Sequence, residues 1–401
     1  MKVKTVLISG TGIAGPTLAF WLKAAGFEPT LVERAPALRN GGYVIDFWGL
    51  GYDIAERMGL AVKIHEIGYH ARELRIVDDR GRRRSGFGTR VFSDLTGGRY
   101  VTLRRSDLSR LLFGKSALLI ESVFGDEVVG LRDLAGGVQV HFSQAGERRF
   151  DLVVGADGLH SSVRRLAFGA QDQFEHQLGY TVAAFEARGY RPRDEDVYVM
   201  YGQPGRMLGR FALRDVTTLF LFVFATENGS LPETLDQQKV FLRERYAAGK
   251  WECRPILEAL DRTEELYLDR VSQIRMPAWS RGRVALVGDA AFCVSLLAGQ
   301  GSALAMISAY VLAGELARAP SAHEEAFRKY ETLLRSFIEA KQRAAASFAG
   351  AFAPQTAFGL RMRDLVIKAF AIPGVARLAL GRGIADALRL PEYRWPSLDG
   401  L

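Results

Sequence analysis

The run Val3 to Ser9 feeds directly into Gly10-Thr11-Gly12-Ile13-Ala14-Gly15, and a helical stretch follows from Pro16 to Ala25, closed by Gly26. Few joints restrict a chain so tightly. An apolar strand that must turn at once into a helix needs a first glycine for the turn. A second glycine lets backbone N–H groups approach a pyrophosphate, and a third lets the helix pack closely on the strand. A second strand, Glu28 to Val32, completes a strand–helix–strand unit of the parallel type. It ends at Glu33, 33 − 10 = 23 residues after the first glycine, where a carboxylate can accept from the ribose of an adenosine. The pattern predicts a dinucleotide site rather than a plain glycine turn, and leaves NAD and FAD both open.

The stretch RVALVGDAAFCVSLLAGQGSAL, residues 283 to 304, narrows that choice. A strand at 284–287 ends on Asp289, and a carboxylate at the mouth of a buried strand is costly without hydrogen-bond donors. The ribityl chain of a flavin supplies them. Gly299-Gln300-Gly301 brings backbone N–H groups and a helix start against a flat ring that must accept negative charge. The plainer reading is an N-capping Asp followed by a glycine kink. A third strand ends in Gly155-Ala156-Asp157-Gly158, and a basic helix begins at Ser161-Ser162. Around Arg105 to Phe113 the leucines fall at helical spacing, with Ser106 or Asp107 placed as the cap.

From Thr181 to Thr226 the pattern changes to strands, with a turn at Gln203-Pro204-Gly205 and a strongly apolar strand at Leu219 to Phe224. This reads as an antiparallel sheet covered on one face. Beyond Ser321 the chain is helical. Phe327, Tyr330, Leu334, Phe337 and Ile338 mark one apolar face; Phe358, Met362, Leu365, Val366 and Phe370 mark another, broken at Pro373-Gly374. The fold class is therefore α/β, with a parallel Rossmann-like sheet, an interleaved antiparallel sheet and C-terminal helices.

With 401 residues, 48% of them hydrophobic and 24% charged, the chain has ordinary globular composition, enough for two or three domains. Its two cysteines, Cys253 and Cys293, form no metal or redox pattern and fit a reducing cytoplasm. The N-terminus has too short an apolar stretch for a signal peptide. Residues 290–314 carry no charge over a membrane-spanning length, but the glycine trio interrupts them, which favours a buried helix. A net charge of +8 with clusters at 82–84 and 104–105 lacks any nucleic-acid module and suits anionic small ligands.

In this order the segments GTGIAG, LVER, LRRSDL, VVGADGLHSSVR and LVGDA…GQG resemble the group A FAD-dependent monooxygenases, the para-hydroxybenzoate hydroxylase fold. The resemblance covers about the first 320 residues. It implies an FAD-binding domain at 1–72, 100–175 and 271–320, a substrate-binding domain at 73–99 and 176–270, and a C-terminal helical region at 321–401 that bridges them. It assigns Gly10, Gly12, Ile13, Ala14, Gly15, Glu33, Arg34, Arg105, Asp157, Asp289, Gly299 and Gly301 to the cofactor. Asp157 would serve FAD and passing NADPH, Asp289 the ribityl chain, Arg105 the FAD, and Arg34 the adenine side. GFEPTLVER, Arg39-Asn40-Gly41-Gly42 leading to Asp46, CVSLLAGQG and LPEY at 390–393 look similar to the tetracycline-inactivating flavoenzymes. The chain departs from the family at Phe292, where a His is usual, and at Ser295-Leu296, in the place of prolines.

The resemblance also implies the chemistry. NAD(P)H reduces FAD, dioxygen adds at flavin C4a, and the hydroperoxide gives one oxygen to an aromatic, phenolic or polycyclic small molecule. No metal is expected, and no catalytic side chain is assigned. Tyr43, Asp46, Phe47, Phe220, Phe222 and Phe224 are the expected cavity walls, with plain core packing as the alternative for each. His160, beside Asp157, reads as a loop residue or a base. A monomer or homodimer without a membrane span is expected. Competing readings are a non-catalytic ligand-binding protein of this fold, a flavin reductase or halogenase, and an NAD dehydrogenase. The five tryptophans form no Trp-x-Trp-x-Ile-Pro string, which counts against a halogenase.

Overall fold

Val6, Leu7 and Ile8 are all buried, as in a strand covered on both faces, and Thr5–Ser9 lies inside a six-stranded sheet. The order is Ser280–Arg281, Val284–Leu286, Leu152–Gly155, Thr5–Ser9, Glu28–Glu33, Glu121–Phe124. All neighbours run parallel except the short outer pair. The three motif strands, ending at Ser9, Gly155 and Leu286, therefore lie side by side with their C-terminal ends together, where an open parallel sheet places its ligand. The computed structural model describes residues 3–39, 41–226, 230–370, 372, 374–375 and 386–396; the expected breaker Pro373 and the motif residue Asn40 fall outside them.

The second large sheet has seven strands, in the order Tyr267–Ile274, Glu175–Arg188, Thr217–Ala225, Arg206–Ala212, Val197–Gln203, Glu73–Val77, Arg83–Gly88. It is antiparallel except where Val197–Gln203 meets Glu73–Val77. The expected turn is present: Gln203 pairs with Arg206 across Pro204-Gly205, and Gly205 takes φ +74°. The helices Leu235–Tyr246 and Cys253–Asp261 cover one face. The sheet is not bare on the other side, as a one-face reading would have it. There Leu221, Tyr198 and Tyr267 pack with Tyr43, and Val223 and Met207 with Leu296 and Leu297.

Arg105–Ala117 starts one residue earlier than its sequence suggests. Its N-cap position is Arg104, which makes no side-chain cap, so neither Ser106 nor Asp107 is the cap. Asp107 instead sits in the first turn, bonded to Arg110 at 2.5 Å, where it favours the helix dipole. The uncharged run 290–314 divides into a short helix at Asp289–Phe292, a 3₁₀ turn at Leu296–Ala298 and the helix Gly301–Arg318. Among the described residues no helix is long and apolar enough to cross a membrane.

Of the two C-terminal apolar faces, the first is buried as its spacing requires, from Phe327 to Ile338. The second is a correction. On Ala357–Ala369, Phe358, Met362, Leu365 and Val366 point to solvent, at 72%, 43%, 59% and 49% exposure. The inward side is Leu360 with Asp364, whose carboxylate pairs with Arg84 at 3.0 Å on the outermost strand. Polar docking turned the helix, and of the predicted face Phe370 alone packs, edge-on to Phe87.

Candidate active site

Two of the glycines are required by geometry. Gly10 holds φ +105°, and a Cβ there would stand 2.6 Å from the Ala156 carbonyl oxygen; a Cβ on Gly15 would stand 1.9 Å from that of Gly10. The Gly10 loop is thus pressed against the Asp157 loop. Ile13 and Ala14 are buried at the helix start, and Ala14 Cβ would lie 3.3 Å from a Cβ on Gly288. Glu33 reaches back to this loop: its carboxylate accepts from the Thr11 N–H and hydroxyl, both 2.9 Å, and from the Ala35 N–H at 3.0 Å. Arg34 is exposed beside it. A Cβ on Gly12 would meet Arg105 Nη2 at 3.4 Å, so Arg105 lies over the loop.

Asp289 follows Gly288, which takes φ +60° at the end of its strand. A Cβ on Gly301 would stand 3.7 Å from Asp289 Oδ1, so carboxylate and glycine trio face each other. Burial pushes the Asp289 carboxyl above its ordinary range, and the Arg105 guanidinium opposes that rise. Tyr43 completes the group: its carbonyl accepts from the Arg105 N–H at 3.1 Å, and its ring lies 5.8 Å from that of Tyr267. Burial likewise raises the Tyr43 hydroxyl, with Arg105 lowering it. The structure therefore brings together a cation, a carboxylate and a phenol from segments 43, 105 and 289.

Asp157 is bound more locally. It accepts from the Ser161 hydroxyl at 2.5 Å and the Val163 N–H at 3.1 Å, at the start of helix Ser162–Ala167. Arg164 carries no role in the sequence reading, yet it ties this loop to the next. Fully buried, it donates to the Ala290 carbonyl at 3.0 Å, the Leu159 carbonyl at 2.6 Å and Gln171 Oε1 at 3.1 Å. A basic residue soon after an Asp-Gly turn is the signal that was available. The departures also have structural explanations. Phe292 fills the core against Trp279, with ring centroids 4.7 Å apart. Ser295, at φ +153°, caps the 3₁₀ turn through Leu297, while Leu296 and Leu297 pack on the seven-stranded sheet.

His160 bridges the two sheets: its Nε2 lies 2.9 Å from Asp269 Oδ2, and its Nδ1 3.3 Å from Gln171 Oε1. The bond to Asp269 raises the imidazole above its ordinary 6.5, with Gln171 and Glu175 adding to the rise against burial. A raised basic group stabilises fully below its unfolded value and loses that contribution as pH rises through the folded one. The melting temperature is therefore expected to fall with rising pH above about 6.5. His160→Gln is expected to flatten that fall, as melts at several pH values would read.

Four of the expected cavity walls lie elsewhere. Strand alternation sends Phe220, Phe222 and Phe224 to the helix-covered face, where they pack with Phe185, Tyr190 and Tyr246. Phe47 is likewise core, beside Tyr52. The face toward Tyr43 carries Tyr198, Leu221 and Tyr267 instead, which alternation alone does not choose because both faces read as apolar. Phe222→Ala is expected to cost about 3–5 kcal/mol of stability, seen as a lowered melting temperature, without changing FAD affinity. Asp46 does line a small cavity, with Trp48, Gly299, Gln300 and Asp386. Its Oδ1 accepts from Thr102 at 2.6 Å and the Tyr198 hydroxyl at 3.2 Å, and burial raises its carboxyl.

A glycine loop at the C-terminal ends of parallel strands, a ribose-spaced glutamate and a carboxylate facing a second glycine loop define a dinucleotide-binding flavoprotein. The family described as FAD binding domain matches residues 3–345. The chain belongs to that family and is a group A FAD-dependent monooxygenase. An uncharacterised protein of Mycobacterium tuberculosis is 37% identical over 350 residues, 85% of this chain and 92% of that protein. A flavin-dependent monooxygenase of Legionella longbeachae is 30% identical over 397 residues, 97% of this chain and 98% of its own. The crystal structure of tetracycline destructase Tet(51) superposes with a TM-score of 0.83 at 29% identity, covering 98% of this chain and all of that one. Klebsiella pneumoniae HpxO complexed with FAD and uric acid, at 22% identity, a TM-score of 0.77 and 95% coverage of each chain, shares the fold.

Proposed function

We propose that the enzyme takes electrons from NAD(P)H and inserts one oxygen atom of O2 into a phenolic or polycyclic small molecule of tetracycline-like shape. The observation that carries this reading is the meeting of Arg105 and Tyr43 with Asp289, which itself faces Gly301. Bound FAD supplies the electron and oxygen chemistry. Asp289 accepts from its ribityl hydroxyls, which makes good the cost of the carboxylate's burial. Gly10, Gly12, Ile13, Ala14 and Gly15 offer N–H groups and a helix start to its pyrophosphate, and Glu33 and Arg34 serve the adenosine end. Arg105 offsets negative charge beside the trio, and Gly299 and Gly301 allow close backbone approach.

Asp157 and the loop held by Arg164 border the path of the passing NAD(P)H. Tyr43, Tyr198, Leu221 and Tyr267 give the substrate an aromatic and apolar wall that excludes water. In this reading segments 1–72, 100–175 and 271–320 form the FAD-binding part, 73–99 and 176–270 the substrate part, and 321–401 the bridge. The test is NAD(P)H consumption by the FAD-loaded enzyme with and without tetracycline and simple phenols. Stimulation by at least one polycyclic or phenolic compound, with a product heavier by one oxygen, is expected. Consumption indifferent to every compound would set the reading aside.

A further inference from the structure

The family match ends at residue 345, yet residues 386–396 fold back onto the cofactor half of the molecule. Trp395 lies 4.6 Å from Trp21 on the helix Ala14–Ala24 and 5.6 Å from Tyr310 on Gly301–Arg318. Tyr393 donates its hydroxyl to the buried Glu315 at 2.7 Å, and its ring fills the space where a Cβ on Gly314 would stand 2.3 Å away. Arg57 joins Glu392 at 2.8 Å and the Tyr310 hydroxyl at 2.6 Å. The segment is thus held at several points by three helices.

At the other end of the segment is Asp386. Helix Gly49–Arg57 has no side-chain cap of its own at Trp48, and its free Leu50 N–H donates to Asp386 Oδ2 at 3.0 Å. The other oxygen pairs with Lys341 on His323–Phe352 at 2.9 Å, with both side chains at least 85% buried. Two residues into the capped helix, Gly51 crosses Ala303: a Cβ there would be 2.6 Å from Ala303 Cα. Ala303 is two residues past Gly301, and Asp386 borders the same cavity as Gly299 and Gln300. The contacts run without a gap from the C-terminal segment to the glycine trio.

We propose that residues 386–396 are a clasp on the flavin site, in which Asp386 is the positioning residue. By capping Gly49–Arg57 it fixes the helix crossing at Gly51 and Ala303, and so sets the Gly299–Gly301 loop before FAD arrives. This rests on the reading that Asp289 and the trio hold the flavin. A loop already set binds without a further ordering cost, whereas an uncapped helix end must be ordered by the ligand.

The experiment is an FAD titration of apo full-length protein, followed by flavin fluorescence, for wild type, Asp386→Ala, Asp386→Asn, Trp395→Ala and Asp289→Asn. Asp386→Ala is expected to raise the FAD Kd about tenfold, the factor that a lost capping bond sets. Asp386→Asn still accepts from Leu50 and is expected to recover to within about threefold of wild type. A purely structural segment would lower the melting temperature and leave Kd alone, so an alanine variant within twofold of wild-type Kd overturns the clasp. Should that variant fail to fold, Trp395→Ala, which loosens the far end, is read by the same criterion. If Asp289→Asn binds as tightly as wild type, the site reading fails together with the clasp. If Asp289→Asn loses FAD while Asp386→Ala does not, the clasp alone fails.

Discussion

Asp289→Asn is expected to leave the purified protein nearly colourless, with FAD affinity reduced about 100-fold, in keeping with the roughly 1.5–3 kcal/mol that a hydrogen bond to a charged group contributes. The apo protein is expected to melt higher than wild type at neutral pH. The two effects have opposite signs for one reason. Burial raises the Asp289 carboxyl, so without ligand its ionised form is a cost to the fold that grows as pH rises through the raised value. Bound FAD offers donors that remove that cost. An FAD titration and a melt of the apo form measure the two separately. Lower stability together with unchanged affinity would identify Asp289 as an ordinary capping residue.

Gly15→Ala is expected to have the largest effect on folding, on the order of 3 kcal/mol or more, because its Cβ would stand 1.9 Å from a backbone oxygen that cannot move aside. Gly299→Ala is the control. Gly299 takes φ +66° but has open space around it, so only the backbone cost of about 1–2 kcal/mol is expected. Comparing soluble yield and melting temperature between the two checks the distinction. Equal stability of the two variants would contradict the packing of the Gly10–Gly15 loop.

The parallel unit was legible because its residues serve one purpose each: Val6 to Ile8 must be buried, Gly10 and Gly15 must be small, and Glu33 must follow the second strand. Asp289 stands out in the sequence because a carboxylate ending an apolar strand needs a partner, and the fold buries it facing Gly301. The face proposed as the substrate wall was not legible. Leu219 to Phe224 is apolar at every position, so alternation could not say whether the phenylalanines or Leu221 would meet Tyr43. The decision came from Leu242, Tyr246 and Ile256 on helices far along the chain, which cover the phenylalanine face. Long-range polar contacts were equally hidden. Phe358 to Val366 reads as a core stripe, and the Arg84–Asp364 pair rotates it outward. Asp386 capping Leu50 joins residues 336 apart, which no local pattern announces.

The most direct test of the central claim, that a flavin sits between the Gly10–Gly15 loop and the Gly299–Gly301 loop, is an FAD titration of the apo protein read by its visible spectrum. Saturation at one FAD per chain, with a perturbed flavin spectrum that is lost in Asp289→Asn, is the expected result. A protein that stays colourless in excess FAD would contradict it.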